Sequence, residues 1–470
     1  MTKQTGAMGP FITLISIFFF WGFVAASNEI LIPVFKKALD LTQMQAQMIS
    51  FAFYVAYTVG SLIYFIGSLV LQEDILSKLG YRNGLALGLL ISASGTLLFI
   101  PAANNASFPL LLSGLFVVGL GFSLQQTAAN PLAIVMGDKK QASQRLSLAG
   151  GINNVGTTIG PLIIAYAIFG SASAPETEIN LETVKTPYLV LGAVFVVAAI
   201  LFKYSSVPNQ IDTGKSSTEK IDLSKLFSYP QLTLGMLAIF LYVGVEVSTV
   251  SNLPEFMKQK IGASEKDVAP YVSLFWGSLM IGRWTTAGGA FNISASLKRI
   301  LNILLPFIAF GIFLGCNSAL GHDVSQFYFY AAFIPIVIIA DFLSKGNPSR
   351  QLLIYSLGGI IALLVGIFSS GYTAVYAFIT VGLFCSTLWP CVFTLGISGL
   401  GKYTNEGSSL LIMMIMGGGV VSLTQGFFAK DAMLGIQNSY FVGVVCFIYL
   451  AFYAFKTRNL DTSGVEVSGH

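Results

Sequence analysis

Apolar stretches of 18 residues or more follow one another along almost all of this 470-residue chain, and that recurrence limits its fold more than any single motif. About 20 helical residues, rising 1.5 Å each, cross the roughly 30 Å hydrocarbon layer of a bilayer. Backbone polar groups find no water there, so a crossing segment is either a helix or a strand of a closed barrel. A barrel would show alternating segments of about 10 residues, and solid apolar blocks exclude it. Only 10% of the residues are charged, against roughly 25% in soluble domains. The chain reads as an all-α polytopic membrane protein whose first partner is the lipid bilayer. Its net charge of +4 is too small and too dispersed to point to nucleic acid.

Helices are expected at roughly 11–34, 48–71, 83–103, 107–136, 146–169 and 186–205, and then at 229–252, 268–290, 299–318, 325–344, 350–369, 372–397, 407–429 and 436–456. The polar stretch SSVPNQIDTGKSSTEKIDLSK at 205–225 separates the six from the eight. This divides the chain into a bundle over 1–205, a linker over 206–228, a second bundle over 229–457 and a tail over 458–470. With the N-terminus inside, 18 of the 25 basic residues fall on cytoplasmic segments. The positive-inside rule therefore puts both termini and the linker in the cytoplasm. The N-terminal MTKQTGAMGP lacks the form of a cleaved signal peptide.

The halves repeat each other weakly. Pro33 and Phe35 align with Pro254 and Phe256 at an offset of 221, and Phe53-Tyr54 with Phe275-Trp276 at 222. Asn130-Pro131 then meets Trp389-Pro390 at 259, so the second half has gained 37 residues between its second and fourth helices. That suits one extra helical hairpin near 299–350, with the inserted helices falling within 299–369. The expected architecture is two pseudo-symmetric six-helix halves plus this hairpin, about fourteen transmembrane helices in all. Two parallel six-helix repeats joined by a cytoplasmic linker describe the major facilitator fold, in which substrate binds between the halves and access alternates as they rock.

Ionisable residues inside spans cost about 2.5–3.5 kcal/mol on insertion scales, so they mark cavities and function. Glu29 lies in the outer part of the first helix beside Asn28, and is the proton-site candidate; a carboxylate paired across helices is the structural alternative. Glu246 lies in the seventh helix, with Tyr242 one turn earlier. Arg283 and Asp341 sit near helix ends, where snorkelling or pairing suffices. In SLQQTAANP, Gln126 and Asn130 share a face at i, i+4, and GGINNVGTTIGP places Asn153 and Thr157 likewise. Amides suit a polyhydroxylated ligand because each donates and accepts, although Asn can also join helices. Tyr54, Trp276 and Trp389 offer faces on which a sugar ring could stack. Cys316, Cys385, Cys391 and Cys446 lack metal-ligand spacing, and no phosphate loop, dinucleotide fingerprint or catalytic triad occurs. Neither a cofactor nor an enzymatic activity is expected.

The strings FFFWGFVAASNEILIPVFKKAL, FAFYVAY, LGYRNG, LQQTAANP, RLSLAGGINNVGTTIGP, WGSLMIGR and WPCVFTLGISGLGKYTNEGSSLLIMMIMGGG resemble the fucose permease family, over about residues 10–290 and 372–457. These are bacterial sugar/proton symporters that include fucose and glucose/galactose permeases. The resemblance implies sugar as substrate and proton coupling through a first-helix acid. There the family has Asp after Asn in NDILIP; here Asn28-Glu29 stands in its place. The family's fucose permeases also carry a Glu before TAANP, where this chain has Gln126, which cannot titrate. Asn153 matches an asparagine implied to face the ligand. Ser77 stands where a cytoplasmic Asp is usual, weakening a charge latch. The resulting expectation is a monomeric importer of a hexose (glucose-, galactose- or fucose-like) with a proton taken by Glu29. Asn28, Tyr54, Gln126, Asn130, Asn153, Glu246, Trp276 and Trp389 would form the substrate path. A uniporter, a sodium-coupled symporter and an exporter of another small molecule are the alternatives.

Overall fold

A computed structural model describes residues 8–41, 43–71, 75–137, 141–169, 182–210, 222–263, 265–291, 293–430 and 432–460. Among them there is no strand. The first half contains α1 (Met8–Ala38), α2 (Gln43–Leu71), α3 (Tyr81–Asn104, broken at Leu98), α4 (Phe108–Val135), α5 (Ala142–Phe169) and α6 (Glu182–Tyr204). After the linker come α7 (Pro230–Ile261), α8 (Glu265–Trp284) and α9 (Ala295–Ala319). Then α10 (Ser325–Ser344) begins as a 3-10 helix, and α11 (Pro348–Phe368) follows. The chain finishes with α12 (Gly371–Ile397), α13 (Thr404–Phe428) and α14 (Gly435–Lys456), each a helix in two or more pieces. Each of the fourteen segments expected from the sequence is helical.

Local chemistry sets several of these ends. Pro230 and Pro348 open α7 and α11, where the missing N–H would have no intrahelical partner. The Asn347 side chain caps α11 by accepting the Arg350 backbone N–H at 2.9 Å. Gly262 ends α7 at φ +71°, a left-handed conformation that favours glycine. In the turn between α9 and α10, hydrogen bonds from Ser325 hold the Asp323 carboxyl below the usual carboxylate range.

Twelve elements are long and apolar enough to cross a membrane. The other two, α5 and α8, have 28 and 20 residues but carry more polar side chains. They pack on protein: α5 against α1 and α8, and α8 also against α9 and α12. A helix surrounded by protein does not need the hydropathy of one facing lipid.

The contacts also locate the insertion. In the first half α3 packs on α4 and α6; in the second, α11 packs on α12 and α14 in the same way. Thus α11 is the third helix of the second repeat. The inserted hairpin is α9 and α10, in the stretch near 299–350 that the repeat offset indicated and the first two of the three helices within 299–369. The hairpin turns Ile300, Leu304, Ile339 and Phe342 outward, an apolar face suited to lipid tails.

Candidate functional site

The first-half site rests on a close approach of α1 and α5. A Cβ on Gly22 would run into the Asn153 carbonyl oxygen, and one on Gly156 into the Phe19 carbonyl oxygen. Only glycine lets two helix backbones touch this way. The contact brings the Asn153 amide to the Phe18 carbonyl, to which it donates at 2.9 Å. Asn153 is therefore at least in part an inter-helix tie, although it remains half-buried. On α4, half-buried Gln126 donates to the Tyr57 hydroxyl of α2 at 3.2 Å. Its neighbour Gln125 is wholly buried: it accepts from the Trp21 indole at 2.8 Å and donates to Ser92 at 3.1 Å, joining α1, α4 and α3. Asn130, one turn after Gln126, is buried with its amide nitrogen making no hydrogen bond among the described residues. A buried donor left so costs about 1–3 kcal/mol unless water or ligand meets it.

The second-half site gathers charged side chains. In the middle of α7 the Tyr242 hydroxyl donates to Glu246. Arg283, from the last turn of α8, donates to Tyr242 at 3.3 Å and to the Ser386 carbonyl at 2.8 Å. Its third bond, 2.9 Å to the Gly150 carbonyl, reaches α5 in the other half. The Ser386 carbonyl is an available partner because α12 breaks at Ser386-Thr387. Trp389 lies 6.3 Å from the Tyr242 ring and stacks on Phe393. Trp276 stands two turns before Arg283 on the same face of α8, its ring edge-on to Phe275.

The halves meet along the end where α6 finishes and α7 begins, here called the linker end. Tyr81 donates to Asn405 at 2.7 Å, Ser409 to the Ser61 carbonyl at 3.0 Å, and Thr58 to the Met413 carbonyl at 2.9 Å. Thr286 donates to Ser147 at 2.7 Å. Further along the same α2–α13 seam, a Cβ on Gly418 would lie 3.3 Å from the Tyr54 ring and 3.1 Å from Val247 of α7. Tyr54 thus reaches the helix pair that carries Glu246.

The sequence profile of the Major Facilitator Superfamily matches residues 11–334. The chain belongs to this superfamily. A glucose/galactose transporter of Brucella abortus is 32% identical over 94% of this chain and 92% of its own length. An L-fucose-proton symporter of Escherichia coli is 27% identical over 95% and 92%. A crystal structure of a major facilitator transporter, FucP, in the outward conformation superposes with a TM-score of 0.72 at 26% identity, covering 96% of this chain and 99% of that one.

For a major facilitator, then, the structure brings Tyr54, Glu246 and Trp389 to neighbouring surfaces around α7, α12 and α13, and Gln126 and Asn130 onto one face of α4. Asn28 and Glu29 fall within α1, but their side chains lie outside the described residues. For Arg283 the sequence suggested snorkelling or pairing; it is 7% exposed and paired, and its bond to Gly150 joins both halves. The signal was present as the lone Arg of an apolar run beside another helix bearing a lone Glu. Gln125 and Trp21 were missed, because two adjacent glutamines cannot be told apart without knowing which way each points.

Proposed function

We propose that this protein is a secondary active sugar transporter that imports a hexose together with a proton by alternating access. The bundles over 1–205 and 229–457 would rock about the linker over 206–228, with both termini cytoplasmic in a bacterial inner membrane. The observation that carries this reading is the network Glu246–Tyr242–Arg283–Gly150, a charged cluster of one half held to the other half's α5 close to Asn153. Such a cluster can report substrate occupancy to the contact that must open. The names of the glucose/galactose and L-fucose relatives support sugar as substrate, and that of the symporter supports the proton.

In this reading Glu29 takes the proton. Asn28, Gln126, Asn130 and Asn153 bind hydroxyls, with the unpartnered Asn130 amide the strongest structural support. Tyr54, Trp276 and Trp389 form the apolar wall, and Glu246 accepts a hydroxyl or holds Arg283 in place. The test is sugar-induced alkalinisation in proteoliposomes, comparing the native chain with Glu29→Gln. Native protein should raise the external pH on adding hexose, and the variant should exchange sugar without doing so. Sugar movement with no pH change would sink proton coupling. A sodium-coupled or uncoupled carrier is the second reading, favoured by the neutral Gln126–Tyr57 pair, which offers no second titrating acid on α4.

A further inference from the structure

A second polar site lies away from this path, at the linker end. A cavity of about 140 Å³ opens there between α5, the inserted hairpin and the α11–α12 pair. A cavity needs only about 10–15 Å³ by this measure to admit one water, so it has room for an ion with part of its hydration shell. Its walls include Ser143 and Gln144 of α5, Asn302 of α9, Asp341 of α10, Gln351 of α11 and Thr387 of α12.

The donor set is rich in oxygen and short of partners. Asp341 is half-buried, and one carboxylate oxygen accepts from Gln351 at 3.1 Å. A carboxylate can accept about four hydrogen bonds or ligand contacts, so capacity remains. The Gln144 side-chain oxygen and the Thr387 hydroxyl are buried, and neither makes a hydrogen bond among the described residues; Thr387 is 1% exposed. Both stand at the cavity wall. Unpartnered buried oxygens cost free energy unless something fills the space between them.

Charge selects what that filler is. Carboxylate, carbonyl and hydroxyl oxygens suit hard cations. A single carboxylate balances one positive charge, whereas a divalent ion would leave a net charge in a low-dielectric setting. The cations nearby do not supply it. The Arg283 guanidinium is committed to Ser386, Gly150 and Tyr242, and buried Arg145, next to Gln144, donates to the Ala133 and Ile134 carbonyls. Arg299, Lys345 and Arg350 are exposed, and Lys298 is half-buried at the start of α9.

We infer that this cavity binds a sodium ion, and that the ion holds the linker end closed. Gln144 and Ser143 belong to the first half, while Asp341 and Thr387 belong to the second. Separation of the halves at this end takes the site apart. An ion that binds only the assembled site shifts the population toward the closed arrangement. The inserted hairpin thereby acquires a purpose, since among the described residues it supplies the only carboxylate of the cavity wall.

The inference does not depend on the identity of the transported substrate, and its test uses none. Purified full-length protein is titrated with sodium chloride against choline chloride at fixed ionic strength and pH, following the melting temperature. Labelling of a single cysteine placed at Ser147 is followed in parallel. Sodium should raise the melting temperature saturably and slow labelling. Asp341→Asn should weaken the apparent sodium affinity about tenfold or more, and Thr387→Val by a smaller factor. A cooperative melting transition in both variants shows that they are folded; should Asp341→Asn not fold, Thr387→Val carries the test alone. An equal response to sodium and choline, a sodium response unchanged in the variants, or stabilisation by acid with none by sodium would each overturn the inference.

Discussion

The two halves share a scaffold and differ in what they put on it. In the first, Gly156 of α5 lies against the Phe19 carbonyl of α1; in the second, Gly417 of α13 lies against the Phe240 carbonyl of α7. Phe19 and Phe240 stand 221 residues apart, the offset that aligns Pro33 with Pro254. Around these equivalent joints the chemistry diverges. The first-half site ties its helices through Trp21–Gln125–Ser92, Gln126–Tyr57 and Asn153–Phe18, while the buried Arg145 of that half donates to the Ala133 and Ile134 carbonyls of α4. The second gathers Glu246 and Arg283 around Tyr242 and extends the arginine across to Gly150. Backbone approach is a requirement of the fold and recurs in both halves. Side chains facing the interior are free to specialise, one half toward amide ties and the other toward a charged network that reaches across to the first.

That contrast is broken most directly at Arg283. Removing one member of a buried charged pair costs about 3–5 kcal/mol, and half-buried Glu246 places this site toward the lower figure. Arg283→Met should lower the melting temperature the most and reduce transport about 100-fold. Combining it with Glu246→Gln should recover part of both, because the uncompensated carboxylate is gone. Additive losses in the double variant would mean that the two charges do not act together.

The shared scaffold is tested by Gly156→Val and Gly417→Val. Each pushes a side chain into a facing carbonyl, at about 1–3 kcal/mol for an overpacked site. Similar losses of thermal stability are expected for the two, and a marked inequality would show that the joints are not equivalent.

A finer comparison sets the adjacent glutamines against each other. Gln125→Leu strands the Trp21 indole donor and should cost about 1–2 kcal/mol of stability with little change in substrate KM. Gln126→Leu should do the reverse, raising KM about tenfold at nearly constant melting temperature. Equal effects on both observables would erase the distinction between structural and substrate-facing amide.

The smallest effect is expected at the seam. Tyr81→Phe removes one neutral hydrogen bond between the halves, about 0.5–1.5 kcal/mol. The open linker end should gain a few-fold in population, read as faster labelling of a single cysteine at Ser147. No change in labelling would show that the Tyr81–Asn405 bond does not bear on closure.

Much of this was legible in the chain itself. Each helix announced itself because the bilayer requires a local solution, a run of apolar residues that satisfies its own backbone. Repeat offsets exposed the extra hairpin for a similar reason, since equivalent helices keep equivalent punctuation such as Pro33 and Pro254. The candidate site was legible only as a composition of amides, acids and aromatics in spans. Asn153 illustrates the limit: its type suggested a ligand group, and only the structure adds its bond to Phe18, which makes it an inter-helix tie as well.

From the sequence alone came a polytopic all-helical chain of two related halves with an insertion, because hydropathy and repeat spacing are properties of contiguous residues. Tertiary structure alone decided two things: that Gln125 is buried while Gln126 is not, and that Arg283 spans the halves. Each depends on which way a side chain points on its helix and on partners that lie far away along the chain: about 40 residues between Arg283 and Tyr242, and more than 130 between Arg283 and Gly150. Periodicity within one segment carries no information about the face that a distant helix will present to it.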